Sequence, residues 1–151
     1  MTVGSTLLEI VKNPVVQTGF AAWFLAQTLK VVLGFIEEKR FNFKWFIGSG
    51  GMPSSHAALV MAVTTAVGLN EGFGTPVFAL ALTFAFVTMF DAQGVRRQSG
   101  HQAEALNKML DDIYSQRGIQ EAPLKELFGH TPVEVLAGAI LGIVVAAALP
   151  V

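Results

Sequence analysis

The 151-residue chain is 52% hydrophobic, only 14% charged, and carries a formal net charge of -1. Soluble domains average about 25% charged residues, so this composition points to a lipid-facing exterior, and its near-neutral balance gives no field that would gather nucleic acid. Without cysteine there is no disulfide framework, no thiolate metal site and no cysteine nucleophile.

From the N-terminus, "MTVGSTLLEIVKNP" lacks the basic start, apolar run and small-residue cleavage site of a signal peptide, so insertion rests on internal segments. Four apolar segments follow, at residues 14–36, 53–69, 76–90 and 132–151, and each opens on a proline. Proline suits the first helical position because its missing N–H would have had no partner there. The first and last segments reach the roughly 20 residues that span a bilayer. The middle two are shorter, about 22–26 Å as helices, but they lack the polar outer faces a small soluble core would need. The expected architecture is all-α: one integral membrane domain over residues 1–151, built as a membrane-embedded four-helix bundle.

The connections differ in kind. "NEGFGT" between the second and third segments is a tight turn, whereas residues 37–52 and 91–131 form longer polar loops. Within the second loop, "SGHQAEALNKMLDDIYSQ" predicts an amphipathic surface helix. Ser99 and Gln102 have capping-box spacing, Leu106, Met109, Leu110 and Ile113 repeat at helical intervals, and "RGIQEAP" ends the helix. Four crossings put both loops on one membrane face and both termini on the other. Lys39, Arg40, Lys44, Arg96, Arg97, Lys108, Arg117 and Lys125 then share the loop face, against Lys12 alone opposite, which places the loops in the cytoplasm.

The polar residues cluster at that same face. In "GSGGMPSSH" (residues 48–56), a glycine run precedes Pro53. With Met52 at the cap position, the N–H groups of residues 54–56 are open to an anion, phosphate being the obvious one. Ser54 and Ser55 add hydroxyl donors and His56 a proton. The plainer reading makes Ser54 the helix cap and His56 a surface histidine. Lys30 sits inside the first apolar segment, where an unpaired ammonium costs about 2.5 kcal/mol or more. It either meets an anionic partner or snorkels to the interface. Arg96 and Arg97, in "FDAQGVRRQSGH" with Asp91, carry guanidinium forks that suit phosphate oxygens, or else serve as positive-inside anchors. In "GHTPVEVLAG", Thr131 and Glu134 form a capping box, and the same carboxylate folding back would hold the ring of His130, which makes an imidazole nucleophilic or basic. His101 has no obvious partner and reads as a bystander. A phosphate ester is the ligand that uses all the remaining groups.

"GGMPSSHAALV", "DAQGVRRQSGHQAEALN" and "GHTPVEVLAG" together resemble the divergent branch of the type 2 phosphatidic acid phosphatase superfamily, the branch related to acid phosphatase and vanadium-dependent haloperoxidase. The resemblance runs from about Asn13 to Val145. It implies a phosphohistidine mechanism in which His130 is the nucleophile, Glu134 its orienting acid and His56 the general acid. Lys30, Ser54, Ser55, Arg96 and Arg97 would bind phosphate. No metal or other cofactor is implied, although vanadate mimics the phosphorylated intermediate.

The chain departs from the parent signatures KxxxxxxRP, PSGH and SRxxxxxHxxxD at four positions. Glu37 stands where arginine is expected, with Lys39 and Arg40 as candidate substitutes. Ser55 replaces glycine, Leu124 replaces an arginine whose part falls to Arg96 or Arg97, and Glu134 replaces aspartate. Two flanking helices of the larger membrane members are missing, and a homodimer would replace their cover. Gly138 and Gly142, at GxxxG spacing, suit close packing within or between chains. The expected function is a membrane phosphatase acting on a lipid phosphate or diphosphate. The alternatives are a non-catalytic protein that binds a phospholipid headgroup or assists assembly of a membrane complex, and a transporter.

Overall fold

Three of the four prolines do begin helices. The computed structural model describes residues 3–39, 51–115 and 129–149, with positions 37–38, 95–97 and 111–115 described by backbone alone. These residues form six helices: α1 (Val3–Lys12), α2 (Pro14–Glu38), α3 (Ser55–Glu71), α4 (Pro76–Gln93), α5 (Val95–Ser115) and α6 (Pro132–Ala148). Pro14, Pro76 and Pro132 open α2, α4 and α6, each behind a residue whose side chain accepts from the first turn: Asn13, Thr75 and Thr131.

Pro53 is the exception. It precedes the cap rather than following it: Ser54 is the N-cap of α3, its hydroxyl oxygen accepting from the Ala57 N–H at 3.4 Å. The helix registers on serine because serine can satisfy a first-turn N–H and methionine cannot. Two further expectations change. The surface helix starts at Val95, separated from α4 only by Gly94, whose N–H donates to the Phe90 carbonyl at 2.8 Å. Ser99 and Gln102 therefore lie inside α5, and their cap-like spacing has no capping role. Near the N-terminus, a ten-residue helix, α1, precedes the first apolar segment. The break at "RGIQEAP", together with Arg40, Lys44, Arg117, Leu124 and Lys125, lies outside the described residues.

Helix α3 is the hub, packed against α2, α4 and α6. Its interior contacts are small: Ala58, Ala62 and Ala66 meet Ala22 and Ala26 of α2 and Ala146 of α6, all fully buried. Gly138 and Gly142 let α6 come close. A Cβ on Gly138 would collide with the Ser54 carbonyl, and one on Gly142 with the Ala58 carbonyl and, at 2.9 Å, the Ala62 nitrogen. The GxxxG pair is thus used within the chain, between α3 and α6, as small-residue pairs are in membrane bundles. Thr64 adds an interhelical tie, its hydroxyl 3.2 Å from the Ala81 carbonyl of α4.

Large apolar side chains point the other way. Phe20, Phe24, Leu80, Phe84, Phe86, Phe90, Leu136 and Ile140 are all exposed. Alanine inside and phenylalanine outside would be untenable in water, where an apolar patch of this extent drives association, and is what a lipid solvent permits. Pro14–Ile36 and a stretch beginning at Pro76 are each long and apolar enough to cross a bilayer.

Candidate active site

Helix geometry carries the polar residues to one end of the bundle. The start of α3 and the start of α6 are joined directly: the Ser54 N–H donates to the Glu134 carbonyl at 3.0 Å. The His130 N–H donates to the Ala92 carbonyl at 3.0 Å, which pins the residues ahead of α6 to the last turns of α4. Two helix N-termini, each a source of positive dipole potential, therefore abut.

His130 is the most constrained group there. It is 2% exposed, and its Nδ1 lies 3.0 Å from Glu134 Oε2. The same Oε2 accepts the Thr131 N–H at 3.1 Å, while the Glu134 N–H reaches Thr131 Oγ1 at 3.4 Å. Capping box and histidine clamp are one structure. Glutamate suits this double task, since the third helical position must reach back over the helix start; its extra methylene relative to aspartate makes that reach. With Nδ1–H donated to the carboxylate, a neutral ring carries its lone pair on Nε2.

Lys30 joins them from α2. It is 5% exposed, and its aliphatic stem runs along Gly51: a Cβ there would lie 3.5 Å from Lys30 Cγ and 3.6 Å from Cδ. Gly51 itself has φ +91, a conformation that favours glycine. The carboxylate whose charge acts on the Lys30 ammonium is Glu134. Lys30 and the acid that clamps His130 therefore act on each other electrostatically.

The serines are deeply placed. Ser54 is fully buried and Ser55 is 3% exposed. The Ser54 oxygen is committed to the cap, and its hydroxyl hydrogen and the Ser55 amide face the helix start as donors of the kind an anion takes. His56 is half-buried in the first turn of α3. Asp91 is half-buried in the last turn of α4. Arg96 and Arg97 lie in the first turn of α5, with side chains outside the described residues, as is that of Glu37. His101 is exposed, its Nδ1 3.8 Å from Glu104 Oε2, and Glu104 in turn pairs with Lys108 at 2.8 Å; the partner was one turn along the helix.

Three contributors escape a reading of motifs. Ala92 supplies only a carbonyl, and Gly51 only a backbone path for Lys30, so neither leaves a chemical signature in the sequence. Gln27 does: it is buried three residues before Lys30 on the same face of α2, and two polar residues at that spacing in an apolar run mark an inward-facing stripe. Among the described residues no cluster of three metal-ligating side chains occurs.

An all-helical membrane protein, with a carboxylate-held histidine where two helix N-termini meet, is the class that these features define. The Divergent PAP2 family matches residues 11–145, and the chain belongs to it. It is similar to the Uncharacterized membrane protein YuiD of Bacillus subtilis (strain 168), with 39% identity over 149 residues, covering 90% of this chain and 93% of that protein. No solved structure matches.

Proposed function

We propose that the protein is a membrane phosphatase that hydrolyses a lipid phosphate or diphosphate ester through a phosphohistidine on His130. The observation that carries this reading is the pairing of the buried His130 Nδ1 with the half-buried Glu134 carboxylate, whose charge acts on the buried Lys30. Nε2 of His130 attacks the terminal phosphorus, its P–O bond to the leaving group breaks, and His56 protonates the departing oxygen, that of an alcohol from a lipid phosphate or of the lipid monophosphate from a diphosphate. Water then attacks the phosphohistidine, releasing inorganic phosphate and restoring the imidazole. Lys30, the Ser54 hydroxyl, the α3 amides, Arg96 and Arg97 hold the phosphoryl oxygens. In this reading α2, α3, α4 and α6 all cross the membrane, with the site and both polar loops on the cytoplasmic side. The test is phosphate release by purified protein from a panel of lipid phosphates. Binding without release from any of them would instead favour a non-catalytic headgroup-binding protein.

Glu134→Gln keeps a hydrogen-bonding side chain but removes the charge that holds the Nδ1–H tautomer and stabilises the imidazolium. A drop in kcat of about 10²–10⁴ is expected, with KM changed far less. A second outcome concerns pH. His130 must be unprotonated to attack and His56 protonated to donate, so kcat/KM should be bell-shaped, and His56→Asn should flatten the alkaline limb alone. Loss of both limbs in that variant would contradict the division of labour.

The lipid tail has a path. A groove of about 450 Å³ between α2 and α6 is lined by apolar side chains, among them Leu29, Leu33, Pro53, Ala137, Ile140 and Val144. Leu29 and Leu33 flank Lys30 and Pro53 adjoins Ser54, so its upper end abuts the proposed phosphate site. Filling it with Ala137→Phe should cost about 1–3 kcal/mol of chain binding, raising KM roughly 5- to 150-fold for a long-chain substrate. Hydrolysis of a short soluble phosphate ester should be unchanged.

A further inference from the structure

The N-terminal helix is left over from both the bundle and the site. None of its residues is buried, and among the described elements it contacts only α2. Its sequence is nonetheless sorted by face: at about 100° per residue, Val3, Leu7, Ile10 and Val11 share one side with Leu8 at the edge, while Ser5, Glu9 and Lys12 share the other. Val3 is 80% exposed, and Leu7, Leu8, Ile10 and Val11 are all more than half exposed.

The junction with α2 is built as an elbow. Asn13 Oδ1 accepts from Val15 N at 2.9 Å and Val16 N at 3.2 Å, the Asn13 N–H reaches the Ile10 carbonyl at 3.2 Å, and Gln17 Nε2 donates to the Val11 carbonyl at 2.9 Å. The end of α1 is thereby tied to the first turn of a helix long and apolar enough to cross the bilayer. The N-terminus of such a helix lies at a membrane boundary, and α1 is held there with its apolar residues exposed.

We infer that α1 is an interfacial helix, lying in the headgroup boundary of the bilayer with Val3, Leu7, Ile10 and Val11 in the acyl region and Glu9 and Lys12 toward water. It anchors the end of the bundle where α2 begins, and this assignment does not depend on the phosphatase reading. The occupant of the apolar face is lipid, because the elbow holds that face at the start of a helix long and apolar enough to cross the bilayer, with none of its residues buried against the chain.

The absence of native cysteine makes the test direct. Leu7→Cys, Val11→Cys, Ser5→Cys and Glu9→Cys variants of the full chain are labelled with an environment-sensitive fluorophore and reconstituted into phosphatidylcholine–phosphatidylglycerol vesicles. Labels at 7 and 11 should emit to the blue of those at 5 and 9. They should also be quenched several-fold more by a nitroxide carried on the lipid chains, and several-fold less by aqueous iodide. Equal quenching at all four positions would overturn the proposal. So would shielding at 7 and 11 that disappears when vesicles carry one copy each, since the cover would then be a second chain.

Discussion

Replacing His130 by alanine is expected to leave a folded membrane protein that no longer releases phosphate. The fold should persist because the contacts that place this residue are mostly backbone. Its N–H still reaches the Ala92 carbonyl, and Glu134 Oε2 keeps the Thr131 N–H at 3.1 Å. The cap of α6 therefore survives loss of the ring, and a stability cost within the ordinary range of about 0.5–3 kcal/mol is expected. Turnover should fall by at least about 10³-fold, because a nucleophile cannot be replaced by the groups that merely bind the anion. The decisive readout is covalent. Wild-type protein quenched during turnover of a phosphorus-labelled substrate should carry an acid-labile, base-stable label, and the alanine variant none. Turnover retained in His130→Ala would end the proposed mechanism, and a label that persists on the variant would assign the nucleophile elsewhere.

Much of this arrangement was legible in residue order because the same atoms serve two purposes. "HTPVE" reads as a cap by spacing alone, and the clamp on His130 follows from that cap, since a glutamate reaching back over a helix start arrives beside the residue that precedes it. Pro14, Pro76 and Pro132 likewise declare their helices. Pro53 misleads because its neighbour Ser54 is the better cap, and a hydroxyl that satisfies the Ala57 N–H outweighs proline's preference for the first helical position. Ser99 misleads in the opposite sense: good cap chemistry is idle when α5 has already started four residues earlier, at Val95. Close approach was the least legible feature. Nothing in "GAILG" says whether its glycines face a second chain or the same one, and only the collision of their missing side chains with Ser54, Ala58 and Ala62 decides it.

That collision predicts the largest structural effect. Gly142→Val should abolish recovery of folded, monodisperse protein, since the added carbons would overlap the Ala58 carbonyl and the Ala62 nitrogen. Overpacking against side chains costs about 1–3 kcal/mol because rotamers can yield. Here the obstacles are main-chain atoms of α3, and no rotamer change relieves them. A cost above about 3 kcal/mol is a large share of the roughly 5–15 kcal/mol that keeps a typical domain folded. Gly138→Ala makes a different demand. Its Cβ would fall on the Ser54 carbonyl, one turn from the bond that joins the Ser54 N–H to the Glu134 carbonyl. Separating α3 from α6 at that point moves the α3 amides away from His130 before it loosens the rest of the bundle. Gly138→Ala should therefore lose phosphate release out of proportion to its shift in melting temperature, and Gly142→Val should lose both together. Gly4→Ala is the control: nothing lies within 4 Å of its would-be Cβ, and removing a helical glycine should leave stability unchanged or raise it by about 0.5–1 kcal/mol. Wild-type melting in Gly142→Val would mean that α3 and α6 do not approach through this face, and the meeting of the two helix starts on which the site depends would fall with it.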